Sequence, residues 1–162
     1  MGRGALPAQI PLVVMFPHLL FCSVTRHYAG STYSLIEEAM TWRAAFGYCA
    51  QTGGHLAVID NAEEHNLIHS IHLLHQTRKT PSNSTWVDGT DFVLEDTWMC
   101  PSIGAACPFL RWGSGQPSNH GGNQNCLGFH PAVTDGLNDI WCDGEEQQFG
   151  LPLCEYEYEC DA

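Results

Sequence analysis

The chain has 162 residues, 44% hydrophobic and 15% charged, which fits one globular domain with a real core and excludes a disordered or collagen-like chain. Eighteen Asp and Glu stand against six Lys and Arg, a formal net charge of −12, and beyond Trp112 nine carboxylates follow with no basic side chain among them. That field repels phosphates and carboxylates, so nucleic acid, anionic membranes and acidic substrates are disfavoured as partners.

From the N-terminus, Arg3 precedes an apolar stretch, Ile10 to Phe21, followed by Cys22 and Ser23. Residues 1–23 read as a secretory signal peptide, and the stretch is too short and too broken by Pro11 and Pro17 for a membrane span. The expected location is extracellular. Eight cysteines suit that compartment, and with no C-x2-C pair anywhere they favour disulfides over zinc. Cleavage near Cys22 leaves seven, so one thiol is spare.

Thr32 to Leu35 has the character of a short strand. Glu37 to Gln51 recurs at helical spacing through Met40, Ala44 and Ala50, and Gly53-Gly54 terminates it. His55 to Ile59 reads as a strand. A second helix starts at an Asp60 or Asn61 cap, carries Glu63 and Glu64 in its first turn, and runs to about Gln76 with Leu67, Ile68, Ile71 and Leu74 on one face. Pro81 and Ser82 stop it. Between Thr85 and Glu159, short apolar pieces alternate with Gly-, Pro- and Asn-rich loops, the pattern of short strands around one long structured loop. Glu155 to Asp161 alternate with Tyr156 and Tyr158, which suits a last strand with one wet face.

Several features tempt a catalytic reading. His65, His69, His72 and His75 recur along the second helix, and the first three form a band beside its apolar face. A zinc or nickel site is one reading; a solvated polar face is the expected one. His65-Asn66-Leu67-Ile68-His69 lacks the general-base Glu of a metalloprotease motif. Glu145-Glu146 read as solvated loop charge. No nucleophile elbow or phosphate-binding glycine loop is present, and no enzyme is expected. Asn83-Ser84-Thr85 is a glycosylation sequon on Asn83.

Thr41-Trp42, Cys49, Gly53-Gly54-His55-Leu56-Ala57, Glu64 and Trp86-Val87-Asp88-Gly89 resemble the first half of a C-type lectin-like domain. Trp112, Gln116-Pro117-Ser118, Asn125-Cys126, Asn138-Asp139, Cys142 and Cys154-Glu155 resemble its second half, in order, so that the likeness spans residues 28–158 and leaves 159–162 as a tail. The resemblance implies an α+β fold: two helices, small antiparallel sheets and a long loop region held by disulfides Cys49–Cys154 and Cys126–Cys142. In the chain-entropy model those loops are worth roughly 4.7 and 3 kcal/mol. Cys100 and Cys107 form a local extra pair. Cys160 is the spare thiol, open to an interchain bridge in a homodimer or to pairing with a retained Cys22.

The resemblance also implies a cage in which a Ca²⁺ ion and vicinal sugar hydroxyls complete each other's shells. Its matching positions are Gln116, Ser118, Gln124, Asn138 and Asp139, with a cis Pro117 and with His120 at a sugar-contacting place. Leu137 stands for the family's Trp, Ser118 for Asn or Asp, and Gln124 for Glu. One carboxylate, Asp139, is left in the cage, which implies weak calcium binding, around 10⁻⁴–10⁻³ M. A second calcium site corresponds to Asp91, Glu95, Asn119, Gln124 and Asn125, whose carboxylates read equally as solvated loop charge. Gln116 in first place resembles the galactose or N-acetylgalactosamine type, without the tryptophan and glycine insertion those binders carry. Trp141 offers a stacking face or a core side chain. The expected function is glycan recognition without catalysis; the alternative is a protein- or mineral-interaction module that has lost sugar binding.

Overall fold

The computed structural model describes residues 24–78, 84–142 and 148–157. The expected signal peptide, Cys22, Asn83, Glu145-Glu146 and Cys160 lie outside these residues. In chain order the elements are β1 (Val24–Tyr28), β2 (Ser31–Leu35), α1 (Trp42–Gln51), β3 (His55–Leu56), α2 (Ala62–Arg78), β4 (Ser84–Thr90), β5 (Met99–Cys100), β6 (Ala105–Ala106), β7 (Cys126–Phe129), β8 (Asn138–Ile140) and β9 (Gly150–Glu157). The fold is α+β. Strand β1, which the sequence reading did not anticipate, pairs antiparallel with β2 through a tight turn in which Ala29 and Gly30 both adopt positive φ.

β9 is the seam of the molecule. It pairs antiparallel with β2 and β3 and parallel with β4, so the ladders join into one sheet and not only small antiparallel ones. β4 in turn holds β7 and β5, and β8 adds to β7. Every residue of β4 up to Gly89 is buried, with Trp86 and Val87 fully enclosed. Trp86 and Val87, on opposite faces of this strand, each enter a hydrophobic cluster, at about 25 cal/mol per Å² of apolar surface buried.

Two boundaries differ from the sequence reading. α1 begins at Trp42, not Glu37, because Met40 exchanges both backbone hydrogen bonds with Gly150 at 2.9 Å and Thr41 caps the helix by accepting from the Ala44 amide. β3 ends at Leu56: Ala57 to Ile59 are buried, but the Val58 amide turns to a side chain, Glu155 Oε2 at 3.2 Å. α2 opens as read, with Asn61 Oδ1 accepting from the Glu64 amide while Glu64 reaches back to the Asp60 amide. Gly54 is there for space: a Cβ would lie 2.3 Å from the Glu155 carbonyl oxygen.

Disulfides join Cys49 to Cys154, tying α1 to β9, Cys126 to Cys142, tying β7 to the chain beyond β8, and Cys100 to Cys107 across the β5–β6 hairpin. Leu137, where the family has Trp, is fully buried in the cluster that holds Trp98 and Trp112.

The histidine band of α2 is not solvated, contrary to the sequence expectation. His65, His72 and His75 are buried and His69 is half-buried. The band lies against Phe129 of β7, so the face of α2 that reaches the sheet is wider than its aliphatic stripe.

Candidate functional site

The loop from Trp112 to Gln124 folds over β8. Ser118 and Asn119 donate their amides to the two carboxylate oxygens of Asp139, the first at 2.9 Å. Gln124 Oε1 accepts from the Ser118 hydroxyl at 2.8 Å and from the His120 amide at 2.6 Å, while Asn119 Oδ1 accepts from the Gln124 amide at 3.3 Å. The Gln116–Pro117 bond is cis. Five of the residues predicted from sequence (Ser118, Asn119, His120, Gln124 and Asp139) thus form one hydrogen-bonded knot.

Gln116 and Asn138 join them at a cavity of about 220 Å³ that Gln124, Asp139, His130 and Trp141 also line. Gln116 Oε1 and Asn138 Oδ1 are buried, and among the described residues no donor reaches them. An orphaned buried acceptor costs roughly 1–3 kcal/mol, so two beside a carboxylate make a place that lacks a positive partner. His120 and Trp141 meet edge to face at 5.8 Å, which puts an aromatic corner at the rim.

The second group assembles differently. Asp91 is buried, accepts the Asp96 amide on Oδ2 at 3.1 Å, leaves Oδ1 without a partner, and donates its own amide to the Asn125 carbonyl at 3.3 Å. Burial, then the charges of Asp96 and Asp139, push the Asp91 carboxyl up. Glu95 is exposed and also raised, by desolvation first and then by Asp91, Asp96 and Asp139. Asp96 belongs to this acidic group and was missed: its identity as loop carboxylate was visible, its approach to Asp91 was not. Among the described residues no three His, Cys, Asp or Glu side chains are placed to hold a metal ion. The oxygens that fit calcium here are mainly amide oxygens, Gln116 and Asn138, with Asp139 the one carboxylate between them; they suit a weak site.

A second polar centre lies on the opposite side of β9. Tyr33 donates to Glu64 and is 3.1 Å from Glu155, both carboxylates buried, beside a cleft of about 340 Å³ reaching Tyr28, Asp60 and Glu157. Burial and the two carboxylates drive the Tyr33 hydroxyl far up, so it stays a donor, and burial raises Glu64. Glu155 had been read as part of an alternating acidic strand and of the Cys154-Glu155 motif, without its link to Tyr33.

A sequence model of the lectin C-type domain matches residues 38–149. This chain belongs to the C-type lectin domain family. It is 33% identical over 135 residues to a lectin from Pleurodeles waltl, across 80% of this chain and 72% of that one. It is 32% identical over 100 residues to the galactose-specific lectin nattectin of Thalassophryne nattereri, across 62% and 60%. The mouse scavenger receptor C-type lectin carbohydrate-recognition domain superposes with a TM-score of 0.68 at 24% identity, over 83% of this chain and 96% of that one, and so shares the fold. No helix among the described residues is long and apolar enough to cross a membrane. In this lectin domain, the cage positions lie where the loop knot meets β8.

Proposed function

We propose that the chain is a secreted carbohydrate-binding lectin that takes glycans at the Gln116–Asn138–Asp139 cavity, with weak calcium assistance and a galactose or N-acetylgalactosamine preference. The observation that carries this reading is the pair of buried, unpartnered amide oxygens flanking Asp139. Gln116, Asn138 and Asp139 would hold the ion, with Ser118 and Gln124 beside them; the ion supplies a Lewis-acidic centre on which two vicinal hydroxyls exchange for water. The protein's part is orientation: the Asp139 carboxylate, fixed by the Ser118 and Asn119 amides, sets where a hydroxyl can donate, and the His120–Trp141 corner offers an apolar face to the ring. The likeness to a galactose-specific lectin supports the sugar class. Secretion is supported by the expected signal peptide and by the three bridges. A spare Cys160 thiol would link two copies and add avidity to single weak sites.

A second reading, a protein- or mineral-binding module that needs no calcium, is favoured by one fact. Asp139 and Gln124 already satisfy the loop's own donors, so the loop keeps its shape without an ion. Calorimetric calcium titration, then a glycan array in calcium and in EDTA, separates the two. Saturable binding near 10⁻⁴–10⁻³ M with EDTA-sensitive galactoside signal supports the lectin. No heat up to about 10 mM with a silent array supports the module.

A further inference from the structure

The histidine face of α2 has no part in the site just described. His65, His69 and His72 ring the side chain of Phe129, with centroids 5.4, 5.1 and 5.7 Å away, and Phe109 closes on His65 at 5.9 Å. Polar contact is sparse. His72 Nδ1 meets Thr85 Oγ1 at 2.9 Å and His69 hydrogen-bonds the Thr134 backbone. Both nitrogens of His65, and Nε2 of His69 and of His72, are buried with no hydrogen-bond partner. A bare imidazole nitrogen takes a donor, a metal or a proton. Among the described residues no donor reaches these atoms, and no three His, Cys, Asp or Glu side chains are placed for a metal. The proton is left.

The surroundings make that proton costly. Arg111, tethered to Asn66 Oδ1 at 2.8 Å, faces His65 and His69 from the loop; His130, beyond β7, faces His72; β4 offers the neutral Thr85. Among the described residues, exposed Asp135 near His69 and Glu37, 4.0 Å from His75, are carboxylates that face the band. Glu64, on the first turn of α2, is committed to Tyr33 and Asp60.

We propose that this face is an acid-operated latch: uncharged at neutral pH it seals α2 onto β7, and on acidification its protonation drives α2 off Phe129. Phe129 ends the strand that pairs with β8, so opening loosens Asn138 and Asp139 from below. The latch stands without the glycan reading.

The sign follows from linkage. Burial first, then neighbouring cations and imidazoles, lowers His65 and His72 to about 4 from an ordinary 6.5. The unfolded chain therefore binds more protons between those values, and stability falls as pH drops from 6.5 towards 4. At pH 4.5 each ring lowers the folding equilibrium roughly 50–100-fold. Glu64, Asp88, Asp91 and Glu95 are raised in the fold and act in the opposite sense, so the test compares variants.

The experiment uses the full chain, bridges intact, in EDTA, which removes any contribution from acid loss of calcium. Hydrogen exchange, corrected for its intrinsic pH dependence, is followed in α2 and in β2–β9 from pH 7.4 to 4.5. α2 protection is expected to fall at least 100-fold while β2–β9 holds. In parallel, His65→Leu with His72→Gln is expected to flatten the pH dependence of the urea midpoint. Unchanged α2 protection in the natural chain overturns the latch, and so does a folded double variant with the natural pH dependence. If the double variant does not fold, exchange in the natural chain decides alone.

Discussion

The carboxylates buried behind β9 and the one buried on β8 are neutralised by different means. Behind β9, Glu64 and Glu155 share one phenol, and the donors around them, Tyr33, the Asp60 amide and the Val58 amide, belong to β2 and to the segments beside β9 and α2. Over β8, Asp139 and Gln124 are satisfied by the amides and hydroxyl of a loop with no ladder of its own. The first centre is held by groups on β2, on β9 and at the start of α2. The second is held by groups that can let go, and it leaves Gln116 and Asn138 oxygens waiting. A buried acid inside a rigid frame is structural; the same chemistry inside a loop is available for exchange with a ligand.

Removing the frame tests that contrast most severely. Replacing Cys49 and Cys154 together by Ala should cost about 2–5 kcal/mol, read as a lowered urea midpoint, because the bridge closes a span of 105 residues between α1 and β9. Tyr33→Phe comes next, at about 1–3 kcal/mol, since it strips the donor from two buried carboxylates. Its penalty should be larger at pH 8 than at pH 5. Glu64 is raised in the fold, so it holds its proton longer than in the unfolded chain and stability falls as pH rises through that window; losing the phenol that lowers it widens the effect. Equal penalties at both pH values would sink the shared-proton account.

On β8, beneath the loop, Asp139→Asn should cost about 1 kcal/mol in thermal melts and abolish calcium heat in calorimetry. A variant that binds calcium unchanged would move the cage elsewhere. The gentlest change is Gln116→Glu, which adds a second carboxylate beside Asp139. Stability in EDTA should fall by up to about 1 kcal/mol, because the new carboxylate faces Asp139 without a cation, while calcium Kd drops roughly tenfold. If stability moves and calcium affinity does not, the loop is frame after all.

Periodicity located both helices and the start of α2 down to its cap, because Asn61 and Glu64 act locally. It misplaced the start of α1, since what stops the helix at Thr41 is Gly150, over a hundred residues away. The loop residues were legible as a set through the ordered motif, but their mutual hydrogen bonds were not: a sequence names Gln124 without saying that its oxygen is already taken by Ser118 and His120. The histidines were misjudged for a related reason. Imidazole is polar by type, and only the packing of Phe129 against three rings shows that the apolar face of α2 includes them.

The central place of β9 matters for how this protein is made. Three of the eight ladders among the described residues meet β9, which follows every other strand of the domain in the chain. Until then β2, β3 and β4 present open edges with no partner between them, and Cys49 has nothing to oxidise against but other thiols. The domain therefore closes only once β9 has been made, and until then its open edges and unpaired thiols are exposed to wrong partners.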